Sequence, residues 1–456
     1  MKRSLLITPL LALIALTFAA CGGGSSLSMT GGSGSTQAQI FVTGEDAPIP
    51  SVVSFYITID SITLDNSSGS VSVLSNPTTV DFGRLMGMRS LLGFNSVPAG
   101  TYTSATFSFS NPVIYYVNLS GSTPSLGSIN GTLTNSKVTV SFPASGMQVS
   151  GNGLAGVHMD FDLHKSLAVD NNGQITGSVN PVIDLMAVSA SEELGEITDF
   201  TGSVLSVNSS GNTLTMQGPY GFKEVIDTSS QTKFNGTYTL TSVPVNAIVS
   251  VVGTVQADGS ILASGVEVIT TDKAFISGRI LAVNPGPQVT MFVGEELPNL
   301  SPTVPVDTVY TVDLSQVVQY DVCFFDNWFT QQLFNGSSLV VGQRIFIGGT
   351  FQNKTFTPDM VSLRRQGILG SLVQNSVSIT SNNVGSFEMQ NDLLLSYSAG
   401  GPFVVNTGNL TLFENINGLQ GLENAGAVNL VVRGLVFKDL NTGKPVVYAG
   451  RVRVLQ

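Results

Sequence analysis

The chain has 456 residues, 19 lysines and arginines against 30 aspartates and glutamates, a net charge of −11, and only 11% charged residues. That balance excludes the basic footprint of a nucleic-acid-binding protein, and two cysteines in the whole sequence exclude a disulfide scaffold. Glycine fills 49 positions, and no ten-residue amphipathic run at the helical period follows the N-terminus, which predicts an all-β protein.

In chain order, the first element is MKRSLLITPLLALIALTFAAC, with a basic start at Lys2 and Arg3, an apolar core over 5–18, and small Ala19 and Ala20 before Cys21. It is too short and wrongly flanked for a stable membrane span and reads as a secretory signal over 1–20. A cysteine directly after two small residues resembles the lipobox of bacterial lipoproteins, with Phe18 where that motif usually has leucine. The resemblance implies cleavage before Cys21 and diacylglycerol on its thiol. Residues 21–37 are a Gly/Ser tether that cannot bury a core. Gly22 rather than aspartate follows the cysteine, which by the sorting rule of such lipoproteins implies the outer membrane. With Cys21 acylated, Cys323 has no intramolecular disulfide partner.

Residues 38–191 form the next expected unit. In SVVSFYITIDSITL (51–64), Val53, Phe55, Ile57 and Ile59 share a face, and the pattern then switches to Ile62 and Leu64. A bulge near Asp60 and Ser61 is expected there. PAGTYTSATFSF (98–109), KVTVSFP (137–143), VHMDFDL (157–163) and PVIDLMAV (181–188) add strands. Short strands with turns between them predict a β-sandwich.

The stretch GVHMDFDLHKS (156–166) holds both histidines of the chain. As a strand it places His158, Asp160, Asp162 and His164 on one face and Met159, Phe161 and Leu163 on the other. His158 and His164 would lie ~20 Å apart, so the four cannot share one ion whose donors sit within ~2–2.6 Å of it. An adjacent pair, His158 with Asp160, is the candidate metal or hydrolase site. The plainer expectation is an amphipathic strand with its polar side in water. GNGLAG (151–156) has the G-x-G-x-x-G spacing but leads into a strand rather than a helix, so no nucleotide or other cofactor is predicted.

EDAPIPSVVSFYITIDSITL (45–64), VDFGRL (80–85), VPAGTY (97–102), MDFDLHKSL (159–167) and NPVIDL (180–185) occur in the order seen in domain of unknown function 4382. This part of the chain resembles that family of bacterial envelope lipoprotein domains, with Glu45 where the family often has Thr or Ser. The resemblance implies a transthyretin-like or immunoglobulin-like sandwich in the cell envelope, and no activity.

The remainder reads as a repeat. FTGSVLSVNSSGNTLTMQG (200–218) parallels ISGRILAVNPGPQVTMFVG (276–294) and, more weakly, ILGSLVQNSVSIT (368–380). Glycine-centred strand pairs answer them at 248–269, 344–363 and 428–455, making Gly202, Gly278 and Gly370 equivalent, and likewise Gly253, Gly349 and Gly434. A glycine inside a strand marks the bend a small closed barrel needs, and Asp258-Gly259 marks a tight hairpin turn. The pattern resembles a second uncharacterised family of small OB-like barrels in bacterial lipoproteins. It predicts three in tandem, over 192–273, 274–366 and a divergent 367–456.

Within the second, YDVCFFDNWF (320–329) concentrates aromatics around the single tryptophan. Tyr320 and Trp328 are candidates for a glycan- or peptide-binding platform. The competing expectation is core packing with Cys323 buried and inert. No Gly-x-Ser-x-Gly elbow, P-loop, His-Glu-x-x-His or CxxC pair is present. The expected function is a non-catalytic, lipid-anchored envelope scaffold or adhesive array, with the membrane and envelope proteins or glycans as partners. A solute- or carbohydrate-binding lipoprotein using 320–329 is the alternative, and a metal-dependent hydrolase at His158 and Asp160 the third reading.

Overall fold

Strand formation starts at Gln37, where the Gly/Ser composition gives way to alternating apolar residues. The computed structural model describes residues 37–455 apart from 48, 87, 120–123, 144, 171–173, 219–222, 272–273, 298–302, 324 and 326–333. Cys21, the signal and nearly all of the tether lie outside the described residues, as does Trp328.

Gln37–Ala47 pairs in parallel with Leu154–Asp162 and antiparallel with Ser90–Pro98, and Ile183–Val188 completes a four-stranded sheet. Facing it is a sheet built on the long antiparallel pair Val52–Asn66 and Ser104–Asn118, extended by Lys137–Ser141 and Gly69–Ser72. The ladder slips between Ile59 and Ser61. The extra residue re-aims the strand, so Ile57 and Ile59 before the slip and Ile62 and Leu64 after it are all buried in the same core. Phe161 sits at the centre of that sandwich, with its ring 5.5, 4.8 and 5.6 Å from the rings of Phe55, Phe82 and Phe109.

Three further sheets follow. The first runs Glu196–Asn208, Thr213–Gln217, Lys223–Asp227, Ile248–Val255 and Ile261–Thr270. Numbered one to five, these strands form a hydrogen-bonded ring in the order 1-2-3-5-4-1, with the third and fifth parallel. The last sheet repeats that ring with Gln366–Leu372, Val384–Gln390, Phe403–Thr407, Asn429–Lys438 and Pro445–Val454. Its first and second strands meet at Ser371↔Gln390 and Leu372↔Met389. The middle sheet uses Ala274–Asn284, Gln288–Leu297, Thr308–Asp313, Arg344–Gln352 and Thr355–Leu363 in the same order. Among the described residues no ladder joins its third and fifth strands, and Gln319–Val322 takes the edge of the fifth in parallel.

The barrels bend at glycines because a side chain there would strike backbone. A Cβ on Gly202, Gly278 or Gly370 would collide with a carbonyl oxygen of the second strand, at Gln217, Phe292 and Gln390. A Cβ on Gly253, Gly349 or Gly434 would collide with a carbonyl oxygen of the fifth, at Leu262, Thr357 and Tyr448. The ladder between the fourth and fifth strands shifts register beside each of these last three.

The modules do not hang as separate beads: Thr36–Gln456 is one compact unit. Apolar clusters cross from module to module. Phe41 of the sandwich packs with the first barrel's core, Leu435 and Phe437 of the last barrel with the middle one, and Val53 with Leu281 and Leu394.

Candidate functional site

The strand carrying the histidines is not amphipathic in its surroundings. Residues 156–162 are buried without a break; His158 is 0% exposed and Asp160 4%. The expectation that this polar face lies in water is therefore wrong. The outer face of the sheet is covered by Arg451 and Arg453 on the chain's last strand and by the segment around Glu193–Gly195. The strand also ends earlier than its alternation predicts. Asp162 Oδ1 accepts from Lys165 N–H at 2.9 Å and caps a helical turn, Leu163–Ser166, which turns His164 away to the surface.

His158 faces Thr43 across the parallel ladder. The Thr43 hydroxyl donates to the Leu194 carbonyl at 3.0 Å, leaving its oxygen to accept from His158 Nδ1 at 3.1 Å. That network assigns the proton to Nδ1. Nε2 has no hydrogen-bond partner among the described residues. Burial, against the pull of Glu45 and aided by Arg89 and Arg453, brings the imidazole down to about 4, so it is neutral at pH 7.

One step along the sheet, Glu45, Asp160 and Asp184 occupy directly opposed positions on three neighbouring strands. Three arginines converge on Glu45: Arg89 at 3.6 Å, Arg451 at 3.6 Å and Arg453 at 3.8 Å. Arg453 also reaches Asp160 at 3.5 Å. Glu193, Glu196 and Glu414 flank the arginines, with Glu414 2.7 Å from Arg451 Nε. Burial alone would raise the Glu45 carboxyl, but Arg451, Arg89 and Arg453 together hold it below the usual range. Asp160 has the weaker share of the cations, and burial with Glu45 beside it pushes it up to about 7.

This inequality makes a testable pH dependence. The Asp160 carboxyl ionises at 3.8 in its ordinary state and at about 7 when folded, so the folded protein holds an extra proton between those values. The resulting contribution to stability is complete below the lower value and is lost as pH rises through the upper one. Asp160→Asn cannot ionise. Its stability relative to the wild type should therefore improve between pH 5 and pH 8 by on the order of 2 kcal/mol. Urea midpoints at the two pH values measure this, and a variant that tracks the wild type across the range contradicts it.

Among the described residues no three His, Cys, Asp or Glu side chains come together to hold an ion. What adjoins Asp160 is a cleft of about 530 Å³ between the sandwich and the last barrel, with Asp160, Asp162, Lys165 and Asp184 contributed by the sandwich and Arg453 by the barrel. Of the aromatic platform, Tyr320 is half-buried and packs edge-on against Phe334 at 5.8 Å. Cys323 is buried, with Sγ 3.9 Å from Glu267 Oε2.

The arginines were missed in the sequence. Their one local signal is RVRV (451–454), where alternation sets Arg451 and Arg453 on one face of the last strand.

Residues 37–176 match a protein family described as Domain of unknown function (DUF4382). The match takes in the pieces from 45 to 167 that carry the resemblance; NPVIDL (180–185) lies beyond it. No curated protein matches the sequence.

Proposed function

We propose that this chain is a non-catalytic, lipid-anchored protein of the bacterial cell envelope whose β-modules act as one rigid scaffold block. The observation that carries the reading is where the buried charges are. They pair with one another across module boundaries rather than converging on a reactive centre. Arg453 of the last barrel meets Glu45 and Asp160 of the sandwich, and Arg84 of the sandwich pairs with Glu295 of the middle sheet. Arg364, at the end of the middle sheet, holds Glu267 of the first barrel at 2.6 Å, and Arg279 lies 3.7 Å from Asp392 of the last barrel. His158, the one buried imidazole, is closed off from solvent. A general base must come within hydrogen-bond reach of a substrate proton.

The anchor rests on the sequence before residue 37, in which Cys21 stands at the one position where a lipobox needs it. Fractionation of expressing bacteria tests it. The wild type should partition with membranes and carry acyl mass on Cys21, and Cys21→Ser should move to the soluble fraction. An unmodified Cys21 in the mature protein, or identical partitioning of the two forms, contradicts the proposal.

A further inference from the structure

We propose that the end of the sandwich from which the chain runs back toward Cys21 rests on the lipid surface that holds the anchor. This depends on the anchored reading above and adds to it a docking face. Gln37 opens the first strand opposite Pro98, and its carbonyl accepts from Asn152 N–H at 2.7 Å. Tyr102 O–H donates to the Pro98 carbonyl at 2.8 Å, and Tyr102 pairs with Met147. Thr103 N–H donates to the Asp65 carbonyl at 2.9 Å, beside the turn that joins Asn66 to Gly69. Three segments, 66–70, 98–103 and 145–153, therefore share the end at which Gln37 enters. The middle sheet meets the sandwich at the other end of the long strand pair, with Tyr115 against Phe292.

The loops at the Gln37 end carry no charge. They read NSSGS, PAGTYT and SGMQVSGNG, without an Asp, Glu, Lys, Arg or His. Nor does any of these occur from residue 4 to residue 44. Ser68, Thr101, Ser145 and Asn152 are exposed there. Asp65, which borders the loops, is turned back onto the sheet, where its carboxylate accepts from Thr106 Oγ1 at 2.6 Å and from Thr63 Oγ1 at 3.3 Å.

The chain as a whole carries a net charge of −11. An anionic leaflet repels carboxylates that come within a Debye length of it, ~8 Å at physiological salt. A neutral end meets no such repulsion. Its hydroxyls and amides can donate to headgroup phosphates and accept from headgroup ammonium. Connectivity selects the same end. Gln37 is sixteen positions after Cys21, a reach of at most about 55 Å. The charged seam with the last barrel begins at Glu45, ~26 Å further along the same strand. The neutral end therefore meets the membrane with that seam held beyond the range of the surface charge.

Hydrogen exchange of the intact lipidated chain on vesicles of phosphatidylethanolamine and phosphatidylglycerol tests this, with soluble Cys21→Ser protein as the reference. Peptides over 66–70, 98–103 and 145–153 should exchange at least threefold more slowly on the vesicles. The exposed turn 440–444, beside the middle barrel at Phe437 and Val446, should not change. A triple variant, Ser68→Asp, Thr101→Asp and Ser145→Asp, should still float with the vesicles and lose the slowing; all three positions are exposed, so the fold is kept. Lipidated protein that floats yet exchanges in these peptides as the Cys21→Ser form does would overturn the proposal and leave the anchor standing. So would a triple variant as protected as the wild type. Wild-type protein that does not float would overturn the anchor, and this proposal with it.

Discussion

Glu45→Ala is expected to destabilise the protein by about 3–5 kcal/mol, the range found when one partner is removed from a buried ion pair. Glu45 is 1% exposed and, among the described residues, is the only carboxylate approached by all of Arg89, Arg451 and Arg453. Without it, three guanidiniums face one another in a region from which water is largely excluded. Arg451 keeps Glu414 and Glu193, and Arg89 keeps Glu193 and Glu196, so the loss belongs to the centre of the seam and not to every pair in it. Glu45→Gln separates charge from shape: the amide keeps the volume and removes the anion, and should give most of the same loss. Urea midpoints of the two variants decide the point. A glutamine variant as stable as the wild type would mean that packing, not charge, holds the sandwich to the last barrel.

The second large effect is expected at Arg364. Its side chain is wholly buried, Nη1 is 2.6 Å from Glu267 Oε2, and the guanidinium stacks 4.3 Å from the centre of the Phe346 ring. Arg364→Met removes the cation and leaves Glu267 as a buried carboxylate, a loss of about 3–5 kcal/mol, including the cation–π contact. Adding Glu267→Leu removes the carboxylate that Arg364 had balanced. Well-packed apolar residues often replace a buried ion pair with little penalty, so the double variant should recover most of the stability. Non-additivity of that size, read from a double-mutant cycle by denaturant unfolding, would show that the two side chains act as one unit across the barrel junction. Additive losses would show that they do not.

Features fixed by neighbours along the chain could be read from the sequence, and features fixed by distant segments could not. The slip at Asp60 follows from an apolar alternation that changes parity. The Asp258-Gly259 turn follows from a glycine that adopts φ +89° at the hairpin. The barrel glycines could be found because a bend needs a missing side chain wherever it occurs. The face bearing His158 and Asp160 failed the same reasoning. Period-two alternation states that its two sides differ in polarity, not that one of them is wet. Whether that side is solvated depends on Arg451 and Arg453, which arrive from the opposite end of the chain. Nothing local to Glu45 marks it out, because its role comes from arginines that converge on it from distant segments. For the same reason, the cleft beside Asp160 could not be anticipated. Its two walls come from the sandwich and from the last barrel.

Thr36–Gln456 is expected to behave in solution as a single block locked by intermodule charge pairs. Small-angle X-ray scattering of Thr36–Gln456 alone measures this. A compact chain of that length has a radius of gyration of about 22 Å, and that value is expected, with a single-peaked distance distribution. A radius above about 30 Å, well outside the compact relation, with a distribution resolving separate lobes, would contradict it.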